Sequence, residues 1–301
     1  MTEVTNLNKR WGINNQLAFD TTDSGLVIAN INNNHASASI ALQGAQLMEW
    51  TPTGEKPAIW LSPDATLASG KSIRGGVPIC WPWFGAHKTQ VNFPAHGFAR
   101  TVPWYVVHAA QLSNGETQIT LQLDSTSIPT KLWPQPTSAE CQITIGKTLA
   151  ITLTTFNKGP HEITISEALH TYFSVSDVRN ISIHGLDGCR YLDKVDGMQQ
   201  KPQTADITFT GEVDRIYIDT KADCTIHDPG LSRRIHIRKT GSCSTVVWNP
   251  WIEKSIQMGD MGKDGYLNMV CIESANAANN LITIPAASKH QLSVSYHLET
   301  I

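Results

Sequence analysis

The sequence predicts a single all-β domain over residues 1–301, a large antiparallel β-sandwich with two sheets packed face to face. Three observations carry this expectation. Apolar residues alternate with polar ones over many short segments, the period of a strand that buries one face. Turn clusters, among them Asn157-Lys158-Gly159-Pro160, Asp187-Gly188 and Asp228-Pro229-Gly230, separate those segments. No amphipathic helix longer than about two turns and no strand–helix–strand rhythm appears, which argues against a doubly wound sheet.

The strands follow in order. Ile119, Leu121 and Leu123 mark one. Cys141, Ile143 and Ile145 lead into a Gly146-Lys147 turn, after which Leu149, Ile151 and Leu153 resume the alternation, so a hairpin is expected. Further strands run through Ile163 and Ile165, Ile181 and Ile183, Ile216 and Ile218, and Ile235 and Ile237. The last passes through Leu292, Val294, Tyr296 and Leu298. No period of roughly 20–50 residues suggests a propeller or solenoid, and no stretch reads as a linker.

Composition narrows the function classes. With 41% hydrophobic and 16% charged residues, the chain can bury a sizeable core. A net charge of −3 and the lack of a Lys/Arg-rich run give no footprint for nucleic acid. No apolar run nears the roughly 20 residues that span a bilayer, and the opening MTEVTNLNKRWG lacks an apolar signal core. A cytoplasmic monomer without nucleic-acid or membrane partners is expected. The six cysteines are scattered with no CxxC, so they read as buried thiols. Walker A, HExxH, cupin-type and GxSxG signatures are absent. His87, His96 and His108 fit no standard zinc spacing, and neither a metal nor a cofactor is expected.

Ser72 to Arg100, SIRGGVPICWPWFGAHKTQVNFPAHGFAR, breaks the alternation. Its glycines and prolines interrupt regular structure, while Trp81, Trp83, Phe84, Phe93 and Phe98 supply surface that must be buried or stacked. Rigid aromatics beside Arg74 and Arg100 suggest the wall of a pocket for a phosphate or carboxylate. His87 is expected to be exposed and incidental.

Four other places could carry chemistry. His170, in Ser166–Phe173, titrates near neutral pH when unperturbed, although a histidine between Leu, Tyr and Phe is often only packed. Glu273 ends an apolar run in Met269–Asn276 and must be paired, protonated or facing a cavity. Asp214-Arg215 could be a turn ion pair. Trp248-Asn249-Pro250-Trp251 could be a sugar-stacking platform or simply core.

RGGVPICWPWFG at 74–85, PAHGFAR at 94–100, ALHTYF at 168–173, VDRIY at 213–217 and VCIESAN at 270–276 occur in that order. In this the chain resembles the glucose-6-phosphate 1-epimerases, the hexose-6-phosphate mutarotases of the aldose 1-epimerase (galactose mutarotase-like) superfamily. The resemblance runs from about residue 20 to the C-terminus. It implies the large β-sandwich of that superfamily and an isomerase interconverting the anomers of hexose 6-phosphates, chiefly glucose 6-phosphate. It further implies His170 and Glu273 as the catalytic pair, Arg74 and Arg100 as a phosphate clasp, and His96 and Asp214 against the sugar. Some members carry Gln where this chain has Ala95, which bears on sugar preference.

Mutarotation through the open-chain aldehyde needs one proton delivered to the ring oxygen and one taken from the anomeric hydroxyl. On this reading His170 acts as an imidazolium acid, supported by a carboxylate such as Asp214 or Glu167, and Glu273 is the ionised base. A noncatalytic carbohydrate-binding sandwich and a glycoside hydrolase or lyase are the alternatives, the hydrolase drawing two carboxylates from Glu167, Asp214 and Glu273.

Overall fold

The hairpin at 141–153 forms as the alternation requires. In the computed structural model, which describes residues 2–124 and 128–301, strands Thr137–Ile145 and Thr148–Asn157 pair antiparallel with Ile145 opposite Leu149. Cys141, Ile143, Ile145, Leu149, Ile151 and Leu153 are all buried on one face.

This hairpin lies within an eight-stranded antiparallel sheet. From one edge to the other it runs Ser182–His184, Cys224–Asp228, Arg233–Thr240, Lys289–Thr300, Thr148–Asn157, Thr137–Ile145, Thr117–Asp124 and Tyr105–Gln111. A second eight-stranded sheet faces it. Its order is Gln199–Pro202, Arg190–Asp193, Val213–Ile218, Ser244–Asn249, Met269–Asn276, Glu167–Leu169 and Ile79–Cys80, with Tyr172–Ser174 also paired to Met269–Asn276. A four-stranded sheet, Leu17–Thr21 to Gln46–Pro52, packs onto the same core.

The two large sheets share that core. Leu169, Phe173, Tyr217, Val247, Val270 and Ile272 of one join Leu121, Ile143, Ile151, Ile237, Leu292 and Tyr296 of the other. Phe173 and Tyr296 meet edge to face at 4.9 Å, and the Tyr296 hydroxyl lies 2.6 Å from that of Thr171. Truncating a side chain such as Phe173 would cost about 3–5 kcal/mol, since the surrounding rings could not collapse into the void.

Helix is confined, among the described residues, to Glu3–Trp11 and Trp251–Met258 besides single turns. Thr2 caps the first through its hydroxyl, with Glu3 in the first turn and Lys9 and Arg10 in the last, which suits the helix dipole. No described helix is long and apolar enough to cross a membrane.

Candidate active site

Sheet register builds the floor of the site. Leu169 pairs with Ser274 and Tyr172 with Cys271, so one further step in the same register sets His170 opposite Glu273. Glu273 in turn faces Val246, and Trp248 faces both Cys271 and Asp214. Because side chains alternate, His170, Tyr172, Cys271, Glu273, Val246, Trp248, Asp214 and Ile216 all emerge on one face. Leu169, Ile272, Val247 and Tyr217 point the other way, into the main core. Both faces of Met269–Asn276 are therefore covered, which is why its sequence reads as one apolar run.

His170 lies between Glu167–Leu169 and Tyr172–Ser174 rather than inside a continuous strand. Its N–H donates to Pro78 O at 3.0 Å. Its ring stacks on Tyr172 at 4.9 Å and meets Trp248 and His96 edge-on at 5.9 and 5.8 Å. Nε2 lies 3.3 Å from Glu273 Oε1. Buried His170 Nδ1 and Glu273 Oε2 have no hydrogen-bond partner among the described residues.

The 72–100 stretch forms the facing wall. Trp81 Nε1 donates to Thr155, Trp83 Nε1 to Pro94 O and Phe84 N–H to Ser166 Oγ, which fixes its course. Gly97 sits at φ +72, and a Cβ there would lie 2.0 Å from Trp81 O, so only glycine allows the approach. That approach carries His96, itself at φ +66, and Arg100 into the cleft. His87 is half-buried against Trp83 and Phe93, not exposed as expected, and His108 faces solvent on an outer strand.

Arg74, His96, Arg100, His170, Asp214 and Glu273 all line one cleft of about 310 Å³. The sequence reading missed Lys194, Lys254 and Met258, which complete it with Phe84, Val246 and Trp248. Lys194 follows the strand Arg190–Asp193, next to the sheet edge, and Lys254 lies on the short second helix; a lone lysine carries no signal of its own. A larger groove, about 620 Å³, runs beside the first helix among Leu7, Trp11, Leu26 and Trp104, with no buried acid–base pair.

The cations differ in how far they are engaged. Arg74 Nε donates to Asp260 Oδ1 at 3.0 Å and its Nη1 to the Tyr172 hydroxyl at 2.8 Å. Lys194 Nζ is 2.7 Å from Asp214 Oδ2 and Lys254 Nζ 2.5 Å from Glu212 Oε1. Arg100 has no acid in ion-pair contact among the described residues; it donates to Ala95 O at 3.0 Å, and its buried Nε is unpartnered. Asp214 and Arg215 do not pair with each other. Alternation sends Arg215 to the other face, over Tyr191 and onto Gln203.

Burial, followed by the positive fields of Arg100, Lys194 and Arg74, pushes His96 down to about 3. Burial also holds His170 well below the ordinary histidine range, helped by His96, Arg100 and Arg74. Burial and then Asp214 raise Glu273 well above the carboxylate range, against Lys194 and Arg100. These shifts favour neutral imidazole beside protonated carboxyl. Glu167 does not support an imidazolium at His170: it lies on the core-facing side, taken by His290 Nε2 at 3.0 Å and Asn276 Nδ2 at 3.1 Å. Cys271 adds a buried thiol, so that nitrogen, sulfur and oxygen donors lie within 4.8 Å of one another, a spacing a metal ion could use.

The aldose 1-epimerase family profile matches residues 27–297. A Salmonella typhimurium protein provisionally named glucose-6-phosphate 1-epimerase is 40% identical over 241 residues, 80% of each chain. An Escherichia coli protein of the same provisional name is 40% identical over 242 residues, again 80% of each. The crystal structure of a Salmonella typhimurium protein described provisionally as a mutarotase superposes with a TM-score of 0.89 at 33% identity, covering 97% of this chain and 96% of that one. This chain belongs to the aldose 1-epimerase family.

Proposed function

We propose that the protein interconverts the α and β anomers of hexose 6-phosphates, chiefly glucose 6-phosphate, by acid–base opening and closure of the ring. The observation that carries this is the His170–Glu273 contact at the floor of a cation-lined cleft. Ring opening needs one acid and one base, each contributing about 10²–10⁴ in rate when well placed. His170 delivers a proton to the ring oxygen and Glu273 takes the proton from the hydroxyl at C1. Rotation about C1–C2 and reclosure with the roles reversed gives the other anomer.

The pair holds one proton in either form, as imidazole with carboxylic acid or as imidazolium with carboxylate. Burial disfavours the charged imidazole, and the field of His96, Arg100 and Arg74 adds to it. A substrate phosphate bound by Arg100, with the remaining donors of Arg74, offsets that field. The proton then moves from Glu273 to His170, producing the acid and the base where the reaction uses them. Binding energy from the remote phosphate thus positions C1 and sets the protonation of the pair. Asp214 and His96 contact the hydroxyls, and Trp248 and Phe84 provide faces for the ring.

The same reading takes 1–301 as one domain, since both large sheets build a single core. It places the enzyme in the cytoplasm, where six free thiols persist, and has it act as a monomer, since one chain supplies the whole cleft. Exchange NMR between the α and β signals of glucose 6-phosphate tests the activity. Faster exchange with the protein, without bond cleavage, is expected. Unchanged exchange with retained sugar binding would favour a binding module, and release of an aglycone from a glycoside would favour a hydrolase.

A further inference from the structure

We infer that Lys194 is a positioning residue for proton transfer: by clasping Asp214, it lets a buried aspartate serve the sugar without disabling Glu273 as the base. The inference rests on the mutarotase reading above.

The geometry is specific. Asp214 is 5% exposed in the middle of the site face. Lys194 grips it at two points: its main-chain N–H donates to Asp214 O at 2.9 Å, and its Nζ lies 2.7 Å from Oδ2. Lys254 Nζ is 3.9 Å from the same oxygen, but Glu212 holds it at 2.5 Å. Lys194 is thus the direct counter-charge of the aspartate.

Asp214 and Glu273 are separated by one intervening strand. The groups facing Glu273 are Cys271 on its own strand, His170 and Tyr172 on the next, and Asp214 beyond Ser244–Asn249. Cys80 lies in the same sheet, opposite Ala168, and from the facing wall come His96 and Arg100, with Arg74 and Lys254 at the rim. Asp214 is the one other carboxylate lining the cleft among the described residues. Asp214 faces Trp248 and Glu273 faces Val246, so two strand spacings and a two-residue offset set them about 12 Å apart. At that distance and an effective dielectric near 20, an uncompensated charge moves a neighbour's titration by about one pH unit. It also tilts the shared proton toward Glu273 and away from His170, which depletes the form that opens the ring. Lys194 cancels this effect while leaving the other carboxylate oxygen of Asp214 for a sugar hydroxyl.

Lys194→Met, Asp214→Asn and the double variant separate this role from simple packing. The readout is kcat against pH for glucose 6-phosphate, by exchange NMR. A pair active with one proton gives a bell-shaped profile. Lys194→Met is expected to lower the plateau about 10-fold and move the bell up by about one pH unit. Adding Asp214→Asn should bring the bell back to its wild-type position, although KM stays raised by the lost sugar contact. Lys194→Arg should keep the wild-type bell, and it carries the test if the methionine variant does not fold. An unmoved bell in folded Lys194→Met, or a double variant that stays displaced, would overturn the inference. A displaced bell in Lys194→Arg would do the same. Wild-type protein that exchanges no hexose 6-phosphate would instead overturn the mutarotase reading itself.

Discussion

Two buried glutamates on adjacent strands, Glu167–Leu169 and Met269–Asn276, each sit beside a histidine and behave in opposite ways. Glu167 pairs in register with Asn276, and three residues along His170 faces Glu273. Glu167 Oε1 is 3.0 Å from His290 Nε2, and Glu273 Oε1 is 3.3 Å from His170 Nε2. Each glutamate leaves Oε2 without a hydrogen-bond partner among the described residues. Burial opposes charge on both histidines, yet Glu167 and a hydrogen bond to the Gly241 backbone raise His290, while His96, Arg100 and Arg74 drive His170 further down. The contact is the same in kind, and the surrounding charge decides the outcome. A carboxylate on its own fixes an ion pair, whereas a carboxylate ringed by cations beside a second acid leaves a proton free to move.

The largest test of that contrast removes the mobile pair. His170→Ala and Glu273→Gln should each lower kcat for anomer exchange about 10²–10⁴-fold. The double variant should be little worse than the poorer single one, because the two groups act as a unit. Exchange NMR at saturating glucose 6-phosphate measures this. Full activity in both single variants would remove the pair from the mechanism.

A smaller effect is expected from the cations that make this pair differ from the other. Arg100 meets no acid among the described residues, whereas Arg74 already spends Nε and Nη1 on Asp260 and Tyr172. Arg100→Ala should therefore cost roughly 10²-fold in kcat/KM for hexose 6-phosphate, equivalent to about 3 kcal/mol for a charge-assisted phosphate contact. Free hexose should lose far less. Arg74→Ala should share this discrimination but also loosen Tyr172, on which His170 stacks, so its effect on free hexose should be the larger of the two. Equal losses on both substrates for Arg100→Ala would count against the clasp.

Alternation made the sheets legible in the sequence, and even the continuous apolar run before Glu273 signalled a strand buried on both faces. Resemblance of motifs, rather than spacing, brought His170, Glu273, Arg74, Arg100, His96 and Asp214 together. The pair's protonation was not legible, because it depends on charges contributed from distant segments. Lys194, Lys254 and Asp260 carry no motif of their own, and their meaning comes only from the oppositely charged groups they meet. Glu167 shows the same limit: it lies three residues before His170 in sequence, and strand alternation turns it toward the core. The first helix escaped notice because most of it is polar and none of its residues is buried.

The smallest expected effect concerns the fixed pair, and it is one of stability rather than rate. Among the described residues His290→Ala leaves buried Glu167 with only Asn276, at a cost of roughly 1–3 kcal/mol, less than for a fully buried pair because His290 reaches solvent. The pH dependence has a definite sign. His290 is raised in the folded state, so its contribution is full below the ordinary histidine value of about 6.5 and fades as pH rises through the raised one. Urea unfolding should therefore separate wild type from His290→Ala most at about pH 5 and least at about pH 9. Activity should stay within about 3-fold, since this pair faces the core and not the cleft. A gap that widened with pH would mean that His290 is held neutral, and the contrast between the two pairs would fail on its structural side.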